Sequence, residues 1–234
     1  MRIENEPAYV LHRRAFGESS LTLELLTKNY GRVGALARSA RQQSTKSSKD
    51  ALVLGALYLA DLGGSGELLQ LRRFEIAETA PTFVGERSLA LMYVNELIIA
   101  LLARSDAHDR VFLNYQNSIQ TIAFGELAAH LRGFERMLLE ELGYGVDFAD
   151  DVTGEPINSV LWYRLDANAG FFLTQAGAAG ALPGAAILEI DSCRFSKIHS
   201  YTTRAIMRTL ISERLGGKTL KSWDMLPELA RLRS

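Results

Sequence analysis

The sequence predicts an α+β protein: a five-stranded barrel of the OB-fold type at the N-terminus, followed by an α-helical domain. In the first 80 residues, five short runs rich in apolar and β-branched residues are separated by turn signals. After Pro81 the apolar residues recur every three or four positions, which is the helical period. We therefore assign residues 1–80 to an OB-fold nucleic-acid-binding domain and residues 81–234 to a helical domain.

Each of the five predicted strands is short and ends at a turn. The turns fall at residues 17–20, 28–31 and 63–66, and a polar loop covers residues 40–50. Gly34 and Gly55 lie inside predicted strands and would suit the bends or bulges of a small barrel. The predicted strands are AYVLHRRAF (8–16), LTLELLT (21–27), RVGALARS (32–39), LVLGALYLADL (52–62) and ELLQLRRFEIAE (67–78).

The predicted helices follow in order, and Gly125 and Gly143 are expected to end two of them. An irregular, turn-rich insert around residues 144–184 contains one hairpin-like piece, VLWYRLDANAGFFLT. The predicted helices are residues 86–106, 110–125, 126–143, more weakly 187–193, and 197–217.

Composition excludes several classes of protein. Cys193 is the single cysteine, so an internal disulfide and a four-cysteine zinc site are both excluded. The N-terminus lacks the apolar run of a signal peptide, and the longest apolar stretch carries Asn95 and Glu96, as a core helix would. We expect a cytoplasmic protein with no membrane segment.

A search for catalytic groups gives no pattern, so we predict no enzyme activity, no catalytic residue, no metal and no cofactor. The four histidines are scattered, and the glycine-rich stretches GGSGE and LGGK match no nucleotide-binding motif. The carboxylates of residues 147–155 could gather a hard cation, but they lack the spacing of a calcium loop. A metal-dependent enzyme that uses this loop is one alternative.

Charge is strongly segregated although the net charge is only -1. Residues 1–80 carry 11 basic and 9 acidic side chains, residues 81–193 carry 6 and 15, and residues 194–234 carry 9 and 3. Such asymmetry indicates basic surfaces for a polyanion and an acidic middle that could repel it or meet another protein.

The first basic region lies on the barrel. Arg32 and Arg38 are six apart, so an unbulged strand places both on one face, opposite Val33 and Ala35. Phe16 and Tyr30 at turn edges could stack on bases. A merely solvated barrel surface is the alternative. The candidate phosphate contacts here are Arg13, Arg14, Arg32, Arg38, Arg41, Lys46, Lys49 and Arg72.

The second basic region is near the C-terminus. Arg204 and Arg208 are four apart on one helix face, and Lys218 and Lys221 follow the glycine stop. We add these four to the candidate contacts, although Lys218 could simply complement a helix C-terminus.

The motifs resemble those of the RecO family of bacterial recombination mediators. The opening residues AYVLHRRAFGESSLTLELLTKNYGRVGALARSAR resemble the family's barrel. YVNELIIALL, LRGFERMLLEELGYGVDF and RLGGKTLKSWDML resemble three later segments, in the family's order. The resemblance implies single- and double-stranded DNA as ligands, annealing of strands coated by single-strand-binding protein (SSB), and partnership with RecR. With RecR, and often with RecF, such proteins help RecA to replace SSB.

The family also binds the acidic, Phe-ending tail of SSB on its helical domain. Carried over by motif, Arg132 would pair with the tail's carboxylates beside Leu131, Ile119 and Leu127; pairing of Arg132 with Glu135 or Glu126 is the alternative. Members with a four-cysteine zinc module keep it after the LGY segment, where this chain has no cysteine, so zinc is not expected. An RNA-binding OB-fold protein with a helical assembly domain is the rival function.

Overall fold

The computed structural model describes residues 2–38 and 52–225, which form two compact units. The first unit comprises the barrel, two helices and residues 220–225; the second comprises residues 125–219. The first compact unit thus contains two helices as well as the barrel. The domain boundary after residue 80 stays a prediction.

Five strands of the first unit close into a barrel in the order β1-β2-β3-β5-β4, which confirms the predicted OB-type architecture. All neighbours pair antiparallel except β3 and β5, which are parallel over only three residue pairs, Gly34–Leu36 with Leu68–Gln70. The strands are β1 (Arg2–Phe16), β2 (Ser20–Thr27), β3 (Gly31–Ala37), β4 (Leu57–Gly63) and β5 (Leu68–Glu78).

Two details of the barrel differ from the sequence prediction. Gly55 lies in a turn at φ 83° before β4 begins, so residues 52–56 are not strand. Its position is tight as well as left-handed, because a Cβ there would lie 3.0 Å from the ring of Phe83. The extra residues of the bulges lie on β1 and β5, and Gly34 pairs in regular register with Glu24.

Helices α1 (Glu86–Leu101) and α2 (Asp109–Phe124) complete the first unit. The ring of Tyr9 on β1 lies 5.5 Å from that of Phe112 and 5.0 Å from that of Tyr115, both on α2. Burial, with a smaller contribution from the charge of Glu78, raises the pKa of Tyr9 to about 12. The helices therefore cover part of the outer face of the barrel with aromatic side chains.

Polar contacts fix α1 to its neighbours. Asn95 is buried, donates from Nδ2 to the carbonyl of Leu11 (3.0 Å), and accepts from the hydroxyl of Tyr115 (2.7 Å). The next residue, Glu96, accepts from the backbone N–H groups of Lys221 (2.8 Å) and Ser222 (2.9 Å). The Asn-Glu pair of the YVNEL segment thus anchors both strand β1 and residues 221–222.

The second unit joins three helices and a small antiparallel sheet of order β7-β6-β8. The predicted hairpin of the insert is strands β6 and β7, and the weakly predicted helix near residue 187 begins at Gly184. The elements are α3 (Leu127–Glu141), β6 (Trp162–Asp166), β7 (Gly170–Thr174), β8 (Leu182–Pro183), α4 (Gly184–Asp191) and α5 (Ser200–Arg214).

Arg136 ties α3 to the end of α4. It donates from Nη1 to the carbonyl of Ile190 (2.7 Å) and from Nε to Glu140 (2.6 Å), and its guanidinium lies 5.5 Å from the ring centre of Phe148.

Within residues 2–38 and 52–225, no helix is long and apolar enough to cross a membrane.

Candidate nucleic-acid interface

The outer face of strands β1, β2 and β3 is divided into a covered half and an open half. In the covered half, Tyr9 on β1 pairs with Leu26 on β2, and Leu26 pairs with Arg32 on β3. Tyr9 and Leu26 are both buried, although neither belongs to the core inside the barrel. The open half begins where Arg14 pairs with Thr22 and Thr22 with Leu36. Since strand residues alternate between faces, this half presents residues 14 and 16, 20 and 22, and 36, and Arg38 follows in the turn after β3.

Arg14, Phe16 and Arg38 form the exposed part of this open half, which we call the open barrel face. Phe16 is 55% exposed, and it lies two residue pairs beyond Arg14 on the same side of β1. Phe16 pairs with Ser20, and Arg38 continues β3 just beyond the Leu21–Ala37 pair. Neither arginine forms an ion pair with a described residue. Two cations that pair with no carboxylate in the described part of the chain therefore lie near one exposed aromatic ring.

Arg32 shares the predicted side of β3 with Arg38 but has a different role. Its side chain is only 14% exposed, and its Nη1 lies 2.8 Å from Glu24 while its Nε donates to the carbonyl of Leu102 (3.0 Å). Arg104 pairs with the same carboxylate. A phosphate contact by Arg32 stays a prediction; in the structure its side chain is largely buried, shares Glu24 with Arg104, and fixes the segment after α1 against β3.

The close approach of that segment explains Gly31. A Cβ on Gly31 would lie 1.8 Å from the carbonyl oxygen of Asp106, and the residue has φ 65°. Ser105 also donates its N–H to the carbonyl of Arg32 (2.9 Å). Residues 104–106 thus lie along the part of β3 that β5 leaves unpaired.

The remaining barrel candidates are distributed over other surfaces. Arg13 pairs with Leu23, whose side chain is in the barrel core, and donates to the carbonyl of Leu52 (3.0 Å), so it lies on the opposite face from Arg14. Arg72 is exposed and lies over Gly63. Tyr30 is partly buried against the barrel core at the opposite end of β2 from Phe16, so the two rings cannot form one platform.

Arg72 follows the part of β5 that pairs with β3. The last residue pair between the two strands is Leu36 with Gln70, and Arg72 lies at the β5 bulge between Leu71 and Arg73. Three predicted contacts, Arg41, Lys46 and Lys49, lie outside the described residues.

The C-terminal candidates are split between the two units. Arg204 and Arg208 are exposed on α5 of the second unit, as their spacing predicts, and Lys218 is exposed after that helix. Lys221 belongs to the first unit, where its backbone N–H bonds to Glu96.

The residues predicted to hold the SSB tail are also divided. Ile119 is buried in the first unit, where its side chain lies beside Gly55, while Leu127, Leu131 and Arg132 are on α3 of the second unit. Arg132 is 9% exposed and forms an ion pair with Glu135 one turn later, the pairing that the sequence left open. Its Nε has no hydrogen-bond partner among the described residues.

The carboxylates near residue 150 stabilise their own loop. Asp151 accepts from the N–H and hydroxyl of Thr153 (2.8 and 2.6 Å), and these bonds lower the pKa of its carboxyl. Asp147 accepts from the N–H groups of Ala149 (2.8 Å) and Asp150 (3.2 Å). The carboxylates of Asp147 and Asp151 thus hold the backbone of this turn.

The sequence predicts the members of the open barrel face but not their grouping. Phe16 is predicted to stack on bases and Arg14 to contact phosphate, whereas their grouping with Arg38 depends on the strand register. The pairing of Glu24 with Arg32 needed the same register, since Glu24 lies on β2 opposite Gly34.

Comparison with known proteins covers nearly the whole chain. The family model described as recombination protein O N terminal matches residues 1–80, and that described as recombination protein O C terminal matches residues 83–224. A protein named DNA repair protein RecO from Xanthomonas oryzae pv. oryzae (strain PXO99A) is 38% identical over 240 residues, covering 100% of both chains. The protein of the same name from Xanthomonas campestris pv. campestris (strain B100) is 38% identical and the match covers 99% of both chains. That from Coxiella burnetii (strain CbuG_Q212) is 37% identical, and the match covers 96% of this chain and 98% of the other. The chain therefore belongs to the RecO family of DNA repair and recombination proteins.

Proposed function

We propose that this chain is a DNA-binding recombination mediator. It binds single- and double-stranded DNA, anneals complementary strands coated by SSB, and with RecR, and often with RecF, helps RecA to replace SSB in gaps. It works at the nucleoid by charge neutralisation and docking, without making or breaking bonds. The observation that best supports this function is the open barrel face, where Arg14 and Arg38 flank Phe16 and the sequence continues into Arg41, Lys46 and Lys49.

The physical chemistry of this face suits a nucleic-acid backbone. Strands in a sheet lie about 4.8 Å apart, so β1 and β3 are separated by about 10 Å across β2, enough to contact phosphates on both sides of a base on Phe16. Each neutralised phosphate releases counterions, so affinity falls with rising salt and depends little on base sequence. Bringing two strands to such a surface lowers the repulsion that opposes their pairing.

Docking of the SSB tail is proposed on α3, by resemblance. Arg132 would pair with a tail carboxylate, for which it must exchange its partner Glu135. The structure supplies a sharp test: Glu135→Gln keeps the side-chain shape and releases the Arg132 charge, so it should tighten binding of a tail peptide, whereas Arg132→Ala should weaken it. The same change in both variants, or no change in either, would contradict this placement.

The overall function is tested by strand annealing. Complementary single strands are coated with SSB, and pairing is followed with the chain present, using either intact SSB or SSB that lacks its last residues. We expect the chain to accelerate annealing with intact SSB and much less with the truncated form. Equal acceleration with both forms would contradict a role for the tail, and no acceleration with either would contradict mediation.

RNA binding is the competing function, because an OB-type barrel with exposed cations and an aromatic ring accommodates either nucleic acid. Binding of single-stranded DNA and RNA of equal length and sequence, compared over a salt series, separates the two. Family membership favours DNA, and we expect DNA to bind at least as tightly as RNA at every salt concentration. A consistent preference for RNA would favour the competing function.

A further inference from the structure

A second basic surface lies on the second unit, around the start of α5. Residues 192–212 contain four arginine and lysine residues and no aspartate or glutamate, in a chain with 27 acidic residues. The four cations, Arg194, Lys197, Arg204 and Arg208, are all exposed. This stretch therefore presents positive charge on one continuous segment of chain.

Two apolar side chains are exposed within the same stretch. Ile198 is 86% exposed and Tyr201 is 76% exposed, values at which neither side chain contributes to a core. The guanidinium carbon of Arg204 lies 5.9 Å from the centre of the Tyr201 ring. Tyr201, Arg204 and Arg208 are spaced by three and four residues, so they form one stripe along the outer face of α5.

Hydrogen bonds hold the turn that carries these residues. Glu189 on α4 accepts from the N–H of Ser196 (3.0 Å) and lies 2.7 Å from Nδ1 of His199, the residue just before α5. Burial alone would raise the pKa of Glu189, but the bonds from Ser196 and His199 outweigh it and lower that pKa. Ile198 and Tyr201 are therefore presented by an anchored turn.

We propose that this surface is a base-stacking site for single-stranded DNA. An unstacked base lies on the Tyr201 ring beside Ile198, and Arg204 and its neighbouring cations neutralise the adjoining phosphates. The proposal rests on the proposed DNA binding of the chain and adds a strand preference for the second unit. In a duplex each base already stacks on its neighbours, so this surface favours single strands.

The shape and charge of the surface favour this ligand over a protein segment. An apolar peptide side chain gains affinity by filling a pocket, whereas Ile198 and Tyr201 project into solvent. A flat base needs only a ring to lie on, and it brings phosphates that match the surrounding cations.

The test measures binding of the full chain to a single strand and to a duplex of the same length and sequence. Tyr201→Ala should weaken single-strand binding by about tenfold and duplex binding much less, because stacking on one aromatic side chain is lost. Tyr201→Phe, which keeps the ring, should bind like the wild type. Arg204→Ala should lower the slope of log affinity against log salt by about 0.7, a change that Tyr201→Ala should not cause.

Tyr144→Ala is the matched control in the same unit. Tyr144 is 41% exposed and also has an arginine over its ring, Arg214 at 4.8 Å, but Arg214 is bonded to the carbonyl of Ala167 (3.1 Å) and carboxylates precede and follow Tyr144 in the sequence. This variant should keep the affinity of the wild type for both ligands. A strand composed of abasic sites should likewise bind the wild type and Tyr201→Ala equally.

Several outcomes would overturn the proposal. The proposal would be wrong if Tyr201→Ala bound the single strand as tightly as the wild type does. It would also be wrong if this substitution weakened binding of the single strand and of the duplex by the same factor. A loss confined to binding of an acidic peptide would assign the surface to a protein partner instead. If the wild type bound no DNA at all, the proposed function would fail together with this inference.

Discussion

Replacement of Asn95 by leucine should destabilise the first unit strongly. Leu11 is the extra residue of a β1 bulge and pairs with neither neighbouring strand, so Asn95 is the described partner of its carbonyl. The hydroxyl of the fully buried Tyr115 loses its acceptor in the same variant. A buried polar group without a partner costs about 1–3 kcal/mol, so two such groups give a loss of about 2–6 kcal/mol. Domains are typically stable by only about 5–15 kcal/mol, so the loss is a large fraction.

Urea unfolding followed by tryptophan fluorescence measures this loss. The two tryptophans are Trp162 in the second unit and Trp223 in the first, so a Trp162→Phe background makes the signal report on the first unit. Asn114→Leu is the matched control, because Asn114 is partly exposed and, among the described residues, its side chain bonds within its own helix (2.8 Å to the carbonyl of Arg110). It should change stability by under about 0.5 kcal/mol.

A double-mutant cycle with Tyr115→Phe separates the two groups. Once Asn95 is leucine, removing the hydroxyl of Tyr115 removes a group that had no partner, so the second substitution should cost less than it does in the wild type. A loss below about 0.5 kcal/mol for Asn95→Leu, or strictly additive losses in the cycle, would refute the reasoning.

Three further predictions follow from other contacts. Burial lowers the pKa of His130, so its ring stays neutral in the folded chain and takes up a proton on unfolding. The free energy of unfolding should therefore fall as the pH drops below about 6.5, and it should fall less in His130→Leu. Equal pH profiles for the two proteins would contradict this role of His130. Glu96→Gln should release residues 221–222, seen as faster proteolysis near that segment, and an unchanged cleavage rate would argue against the anchor. Gly31→Ala should fold poorly or lose several kcal/mol because its Cβ would overlap the carbonyl of Asp106, and a stable variant would show that residues 104–106 lie elsewhere.

The barrel was predictable because its signals are local. Alternating runs and glycine turns indicate strands one by one, and five strands in about 80 residues favour closure. The predicted start of β4 is too early, because the apolar run LVLG continues a strand pattern while its glycine adopts φ 83°, which periodicity does not reveal. Strand β1 is longer than predicted, since it begins at Arg2 in a charged stretch.

The candidate site was less predictable because charge in the sequence does not show which cations have partners. Arg32 and Arg38 look equivalent by spacing, yet only Arg32 meets Glu24, a residue eight positions earlier on the adjacent strand. Arg13 and Arg14 are likewise neighbours that lie on opposite faces of β1. Such distinctions depend on strand register, and register is a property of the folded sheet.

The salt dependence of DNA affinity tests the central claim most directly. The account predicts that the double variant Arg14→Ala/Arg38→Ala lowers the slope of log affinity against log salt for single-stranded DNA by about 1.4. Arg73→Ala, which removes an exposed barrel arginine already paired with Glu75 (2.6 Å), should leave the slope unchanged. An unchanged slope in the double variant, or an equal decrease in Arg73→Ala, would contradict the assignment of the open barrel face to nucleic acid.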